Sequence, residues 1–195
     1  MSKAQTTRSE ILQKAFDLIY RKGYQATSVD DILATTQVTK GAFYYHFKNK
    51  EEMGLATVNE VIHKAIRPLI IKPLEGNEDF REAIYGMMKA MLNDHTFFKV
   101  EYGCPLVNLI DEMAPLSEGF QKTLKLQLFE WQSAIGHVLN KGINAGQLSK
   151  DHNAEQIALY IIAGYSGARN IGKIYGREYY SSFLNQFKNY LHSLK

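Results

Sequence analysis

Residues 27–47 read TSVDDILATTQVTKGAFYYHF, and their spacing decides the fold. Ser28 carries a hydroxyl that can cap a helix start, and Asp31, three residues on, can reach back to it as a capping box. A first short helix over 28–35 follows, because Val29, Ile32 and Leu33 recur at helical spacing while Asp30 and Thr35 fall on the wet side. Val38 closes a tight turn. Thr39 is a second capping residue, and behind it Lys40, Gly41, Ala42, Phe43, Tyr44, Tyr45, His46 and Phe47 make a second short helix. Phe43 and Phe47 stand four apart on one face and serve as its anchors.

Two short helices either side of a tight turn predict a helix-turn-helix. Gly41 and Ala42 let the second backbone approach base edges, while Lys40, Tyr44, Tyr45 and His46 supply donors and a cation. In such a reader phosphate contacts position the helix and base-edge contacts specify sequence. Lys48 and Lys50 follow directly, and Asn49 with Glu52 forms a further capping box, whose free amides favour a phosphate. The predicted nucleic-acid surface is therefore Thr27, Ser28, Thr39, Lys40, Gly41, Ala42, Tyr44, Tyr45, His46, Lys48 and Lys50. Charge agrees: residues 1–50 hold eight Lys or Arg against four Asp or Glu, whereas residues 51–195 hold fifteen against sixteen. A three-helix packing unit with lysines on a solvated face is the plainer alternative, and this asymmetry argues against it.

Over residues 8–56 the chain resembles the TetR family of bacterial transcriptional regulators. The likeness rests on features in register: an amphipathic first helix with Ile11, Ala15, Phe16 and Ile19, a turn at Gly23, the pair Thr27 and Ser28, then TKGAFYYHF and KNKEE. One departure is Gln37, where the family commonly has glycine. A left-handed backbone there would cost glutamine on the order of 1 kcal/mol. The resemblance implies an all-α protein: a three-helix helix-turn-helix domain over 1–49, and an effector-binding and dimerisation domain over 50–195. It implies a sequence-specific DNA-binding regulator, commonly a repressor, released from its operator by a small molecule. It also implies a homodimer through the last two helices, with recognition helices about 34–36 Å or somewhat more apart on a pseudo-palindromic operator.

The remainder of the chain reads as helical, roughly nine helices in all, with no alternating β-branched runs. A helix from 50 should end at Arg67, since Pro68 disfavours continuation, and 68–76 should be irregular or kinked. Helices follow over about 77–94, near 104–113 and over about 116–145, the last carrying a stripe of Leu116, Phe120, Leu124, Leu128, Trp131, Ile135 and Leu139. Asn153 with Gln156 opens a helix to about 175, and a last one carries Tyr180, Phe183, Phe187, Tyr190 and Leu194. In the first of these, Ile157, Tyr160, Ile161, Ile171 and Ile174 alternate with Gly164, Gly167, Ala168 and Gly172, which permits close helix approach; an intrachain core is the alternative use. No apolar run approaches the roughly 20 residues needed to span a bilayer, the start is not signal-like, and a single cysteine suits a reducing compartment, so a soluble cytoplasmic protein is expected.

The segment GCPLVNLIDEMAPLSEGF, 103–120, places Cys104 at a helix cap with Pro105 as first helical residue. Backbone N–H groups and the positive helix end favour a reactive thiolate there. This segment resembles TetR regulators that carry Gly-Cys before a Leu-rich helix and an L-S-E motif, some of which respond to electrophiles or oxidants through that cysteine. A small buried hydrophobe is the alternative role for Cys104. Lys173 is a candidate cationic neighbour. A noncovalent apolar or aromatic effector would instead sit between helices, among Phe97, Phe98, Tyr102, Leu109, Met113, Phe120, Phe129, Trp131 and Tyr165.

No cofactor or metal is expected. His46, His63, His95, His137, His152 and His192 show no metal-type spacing, and no Gly-rich phosphate loop or nucleophile elbow occurs. Asp30–Asp31, Glu51–Glu52 and Asp111–Glu112 are adjacent, so a helix points the two acids apart and they read as solvated or capping charges. An enzyme is thus disfavoured. A nonspecific architectural DNA-binding protein is the nearer alternative, and the long apolar second half argues against it.

Overall fold

The structure is a computed structural model that describes residues 3–76 and 78–195. Among the described residues it is all-helical: α1 (Lys3–Lys22), α2 (Val29–Ala34), α3 (Lys40–His46), α4 (Lys50–Thr57), a π-helical segment (Val58–Ile62), α5 (His63–Glu75), α6 (Phe80–Asn93), α7 (Pro105–Met113), α8 (Glu118–Asn144), α9 (Ala154–Tyr175) and α10 (Glu178–Ser193). The α4, π and α5 segments follow one another without a break, so the described residues form nine helical rods.

Two compact units result, one of residues 3–64 with 105–125, the other of 65–104 with 126–195. Packing therefore groups α4 and α7 with the first three helices, whereas a cut at residue 49 follows chain order.

In the first unit, α1 buries Ile11, Leu12, Ala15, Phe16, Ile19 and Tyr20, a stripe at the spacing that an amphipathic helix requires. It ends at Gly23, whose φ of +91° only glycine adopts without strain. Gly54 of α4 is needed for a different reason, since a Cβ there would lie 2.6 Å from the Tyr24 ring and 2.8 Å from that of Phe120. Ser28 and Asp31 form the predicted capping box on α2, and Thr39 and Asn49 cap α3 and α4 through the amides of Ala42 and Glu52. Glu52, however, accepts from the Lys48 amide at 2.8 Å, one residue before the cap. No described non-glycine residue has positive φ, so Gln37 turns the chain in ordinary backbone and the missing glycine carries no strain.

In the second unit, Phe80, Ile84, Met87 and Met91 of α6, Trp131, Ile135 and Leu139 of α8, Ile157, Ile161 and Tyr165 of α9, and Tyr180, Leu184 and Phe187 of α10 make the core. Glycines set two of its closest approaches: Gly142 lies against Phe80 and Gly172 against Tyr180.

Several expected boundaries are corrected. The helix does not stop at Arg67: α5 runs through Pro68 and Pro73 to Glu75. Each proline removes a backbone donor, yet Ile66, Ile70 and Leu74 are buried at helical spacing, and that burial outweighs the local penalty. Residue 77, the expected start of the next helix, lies outside the described residues, and α6 begins at Phe80 behind its cap Asp79. Leu116 precedes α8 and is exposed, so it does not belong to the buried stripe. The π segment was not expected; through it and into α5 the buried residues Val58, Ile62, Ile66, Ile70 and Leu74 recur every fourth position.

The α2 cap is sensitive to acid. Bonds from the Ser28 backbone and side chain, then from Lys22, hold Asp31 down at about 2 from an ordinary 3.8. A depressed carboxylate stabilises the fold fully above the ordinary value and loses that contribution as pH falls from 3.8 towards about 2. Acid titration monitored by circular dichroism should show this loss in the wild type, and Asp31→Asn should be less stable at neutral pH with a flatter profile over that window.

Candidate functional site

The anchors of α3 behave as expected. Phe43 and Phe47 are buried with ring centroids 5.6 Å apart, and the Arg8 guanidinium lies 4.6 Å from the Phe47 ring. Pinning one face of a seven-residue helix leaves the other outward: Tyr44 is 50% and Tyr45 79% exposed, while Lys40 and Gly41 are also exposed and Ala42 and His46 half-buried. Nothing lies within 4 Å of where a Gly41 Cβ would be, so the chain's own packing does not require glycine there. The tyrosines are backed by their neighbours, Tyr44 edge-on to Phe43 at 5.2 Å and Tyr45 edge-on to His46 at 5.0 Å. Ser28, Thr39 and Lys48 are exposed beside them.

Thr27 is a correction. It is fully buried and its hydroxyl donates to the Gly23 carbonyl at 2.7 Å, so it braces the α1–α2 connection and is not presented outward. Lys50 is half-buried and turned inward: its ammonium lies 4.3 Å from the Tyr24 ring and donates to the Gln25 carbonyl at 3.4 Å. Desolvation there lowers its pKa below the ordinary lysine value. Lys40 donates to Asp30 at 3.0 Å, and that hydrogen bond and charge raise its pKa. Lys22 makes the corresponding bond to Asp31, also at 3.0 Å.

One residue of consequence was not found from sequence. The carboxylate of Glu112 on α7 accepts from two successive amides at the end of α1, Tyr24 at 2.9 Å and Gln25 at 2.7 Å. Sequence reading left Glu112 a solvated or capping charge, because the amides it serves lie 88 and 87 residues away and no local pattern announces them.

The expected effector residues divide. Leu109, Met113 and Phe120 are buried in the first unit, where the Phe120 ring meets Tyr24 edge-on at 4.8 Å. Phe129, 64% exposed, points away from any interior, which corrects its place in an enclosed pocket. In the second unit Phe98, Cys104, Trp131 and Tyr165 are buried, Phe97 and Tyr102 half-buried and Lys173 exposed. At their centre is a residue that sequence reading passed over, Arg169, buried to 1% exposure. Its guanidinium donates to the Tyr165 hydroxyl at 3.2 Å, the Tyr180 hydroxyl at 3.4 Å and the Met91 carbonyl, and stacks 4.1 Å from the Phe98 ring centroid. Trp131 meets Tyr165 edge-on at 4.9 Å.

Cys104 is in electrostatic contact with both Tyr165 and Arg169. Burial, with a smaller contribution from the neighbouring Cys104, holds the Tyr165 hydroxyl well above its ordinary pKa. The Lys173 side chain crosses Gly103, which precedes Cys104 and has φ +73°. A separate open cleft of about 410 Å³, lined by Leu74, Glu75, Phe80, Val138 and Lys141 among others, contains none of the expected effector residues.

This geometry defines a class: a helix-turn-helix DNA-binding unit joined in one chain to a helical unit with a buried polar cluster. Residues 11–57 match the family described as bacterial regulatory proteins, tetR family, and residues 80–186 match the tetracyclin repressor-like C-terminal domain. An uncharacterised HTH-type transcriptional regulator of Lactococcus lactis subsp. lactis is 35% identical over 134 residues, 69% of this chain and 68% of that protein. The HTH-type transcriptional repressor DhaR of a Mycobacterium species is 25% identical over 169 residues, 83% of this chain and 79% of that one. A crystal structure of a TetR family regulator from Cytophaga hutchinsonii superposes with a TM-score of 0.88 at 24% identity, covering 100% of this chain and 98% of that one. The chain belongs to the TetR family of transcriptional regulators. It is a DNA-binding regulator rather than a member of an enzyme family. Among the described residues no helix is long and apolar enough to cross a membrane.

Glu112→Ala should lower unfolding free energy by about 1–3 kcal/mol, since it removes two charge-assisted bonds and leaves the part-buried Tyr24 amide without its acceptor. Urea denaturation is the measurement, and wild-type stability would show those amides to be served equally well by water.

Proposed function

We propose that this regulator is a repressor that binds a pseudo-palindromic operator as a homodimer and is released by a small molecule captured in its second unit. The observation that carries the reading is the outward face of α3, with Tyr44, Tyr45, Lys40 and an unobstructed Gly41 over two buried phenylalanines. Tyr44, Tyr45 and His46 would meet base edges. Ser28, Thr39, Lys40 and Lys48 would meet phosphates, with Gly41 and Ala42 giving close approach. Lys50 joins them only by leaving the Tyr24 ring.

The dimer reading is supported by the outer face of α9, where Leu159, Tyr160, Ile171, Ile174 and Tyr175 are exposed and Gly167 leaves open space. Exposed apolar side chains concentrated on one helix face mark an association surface. Residues 1–49 would then read DNA, and 50–195 would bind effector and partner.

For the effector, the supporting observation is the cluster of Arg169, Tyr165, Trp131 and Phe98 around Cys104. A ligand releases the operator only through its differential affinity for a state that does not fit the operator. The Cys104 thiol as covalent target of an electrophile is the second reading, favoured by the cationic Arg169 beside it.

Duplex selected by the protein from a random library, compared with scrambled duplex at one salt concentration, tests the regulator. Lys40→Ala should weaken binding with a salt slope shallower by about one, and Tyr44→Ala should weaken selected duplex more than scrambled. Wild-type affinity in both variants would remove α3 from the interface. N-ethylmaleimide separates the effector readings: release of wild type but not of Cys104→Ser supports the covalent one, and retention by wild type leaves the noncovalent one.

A further inference from the structure

Lys40, the lysine best placed on the α3 surface, is not idle in the unbound protein. It is paired with Asp30 of α2 at 3.0 Å, with the lysine side chain 61% and the acid 75% exposed. Two features separate Asp30 from its neighbour. Asp31 closes the capping box on Ser28 and also bonds Lys22, so it has a structural task. Asp30 is bonded across to α3 instead, and its position in the first turn of α2 is worth only a few tenths of a kcal/mol to an exposed helix.

Lys40 is the first residue of α3, where a cation opposes the helix dipole, and an acid opposite offsets that opposition. An acid is otherwise a poor choice beside a surface that must approach phosphate, since it repels what the lysine attracts. Its presence is explained if the pair itself has a use.

Resting on the DNA-binding reading above, we infer that Asp30 is a specificity-determining residue: it retains Lys40 until a phosphate is held in register to displace it. Nonspecific binding is almost wholly phosphate charge, with contacts that shift as the protein slides. A lysine retained by its own acid contributes little to it. On the operator, base contacts from Tyr44 and Tyr45 hold one phosphate opposite Lys40, and the exchange of carboxylate for phosphate goes through. The pair thus lowers affinity for random duplex more than for operator, which discriminates by weakening the wrong complex.

The test compares wild type, Asp30→Asn, Lys40→Ala and the double variant on library-selected and scrambled duplex across a salt series. Asp30→Asn should tighten scrambled duplex several-fold and steepen its salt slope by about one, with a smaller gain on selected duplex, so that the specificity ratio falls. In the Lys40→Ala background the same change removes only the carboxylate's own repulsion, so it should help selected and scrambled duplex alike and change their ratio less than twofold. An unchanged ratio in Asp30→Asn overturns the inference. A fall in the ratio that persists without Lys40 also overturns it, because removal of any negative charge would then suffice. If wild type does not discriminate selected from scrambled duplex, the DNA-binding reading fails and this inference with it; discrimination by wild type with an unchanged ratio in Asp30→Asn overturns this inference alone.

Discussion

The grip of Glu112 on the amides of Tyr24 and Gln25 is the interaction on which the first unit turns. A carboxylate accepting two charge-assisted bonds from successive amides holds a backbone corner more firmly than apolar contact does, because it fixes direction as well as distance. The corner has to be narrow. Gly23, immediately before it, has no side chain, and a Cβ there would sit 3.2 Å from both Glu112 oxygens. Around it are the Tyr24 ring against Phe120, the Lys50 ammonium over that ring, and Gly54, which lets the ring approach α4. The buried Thr27 hydroxyl then returns to the Gly23 carbonyl and directs the chain into the capped start of α2. One acid on a helix that begins eighty residues later in the chain thus fixes the corner that leads into the helix-turn-helix.

On that base the α3 surface is built by contrast between faces. Two buried phenylalanines and the Arg8 guanidinium stacked on one of them leave a short helix little freedom to rotate. Its tyrosines are displayed already ordered, at little entropic loss when they meet a partner. Three cations nearby are engaged, Lys22 by Asp31, Lys40 by Asp30, Lys50 by an aromatic ring and a carbonyl. Association with a polyanion is therefore an exchange of partners, and the identity of the partner given up matters as much as the count of lysines.

The second unit is organised around a charge. Arg169 is buried against two phenol hydroxyls, a carbonyl and aromatic faces, with Cys104 close by. A buried cation is retained when each of its donors is satisfied and its face is stacked, and it makes the cluster responsive to any change in nearby charge. That responsiveness suits a sensor, whether the change is a ligand entering or a thiol modified.

The helix-turn-helix was legible because its determinants are local. Ser28 with Asp31, Thr39 with Ala42, and Phe43 with Phe47 act over three or four residues, within reach of a reading by periodicity and capping. The same holds for the start of α9 at Asn153 and for Pro105 opening α7. What the tertiary structure alone decided acts across long separations. Pro68 and Pro73 read as a stop, yet burial of Ile66, Ile70 and Leu74 carries α5 through them. Thr27 read as a surface hydroxyl, and the bend at Gly23 turned it inward. Leu109, Met113 and Phe120 read as part of one aromatic pocket, but packing assigned them to the unit that holds the helix-turn-helix. Glu112 read as a solvated or capping charge and Arg169 drew no reading at all, because hydropathy and spacing report which face of a helix is apolar and not what lies opposite it. The local code thus determined the helix-turn-helix, several helix starts and the family. The burial of one arginine, the service of one glutamate to distant amides, and the pairing of Lys40 depended on which helices the fold brought together.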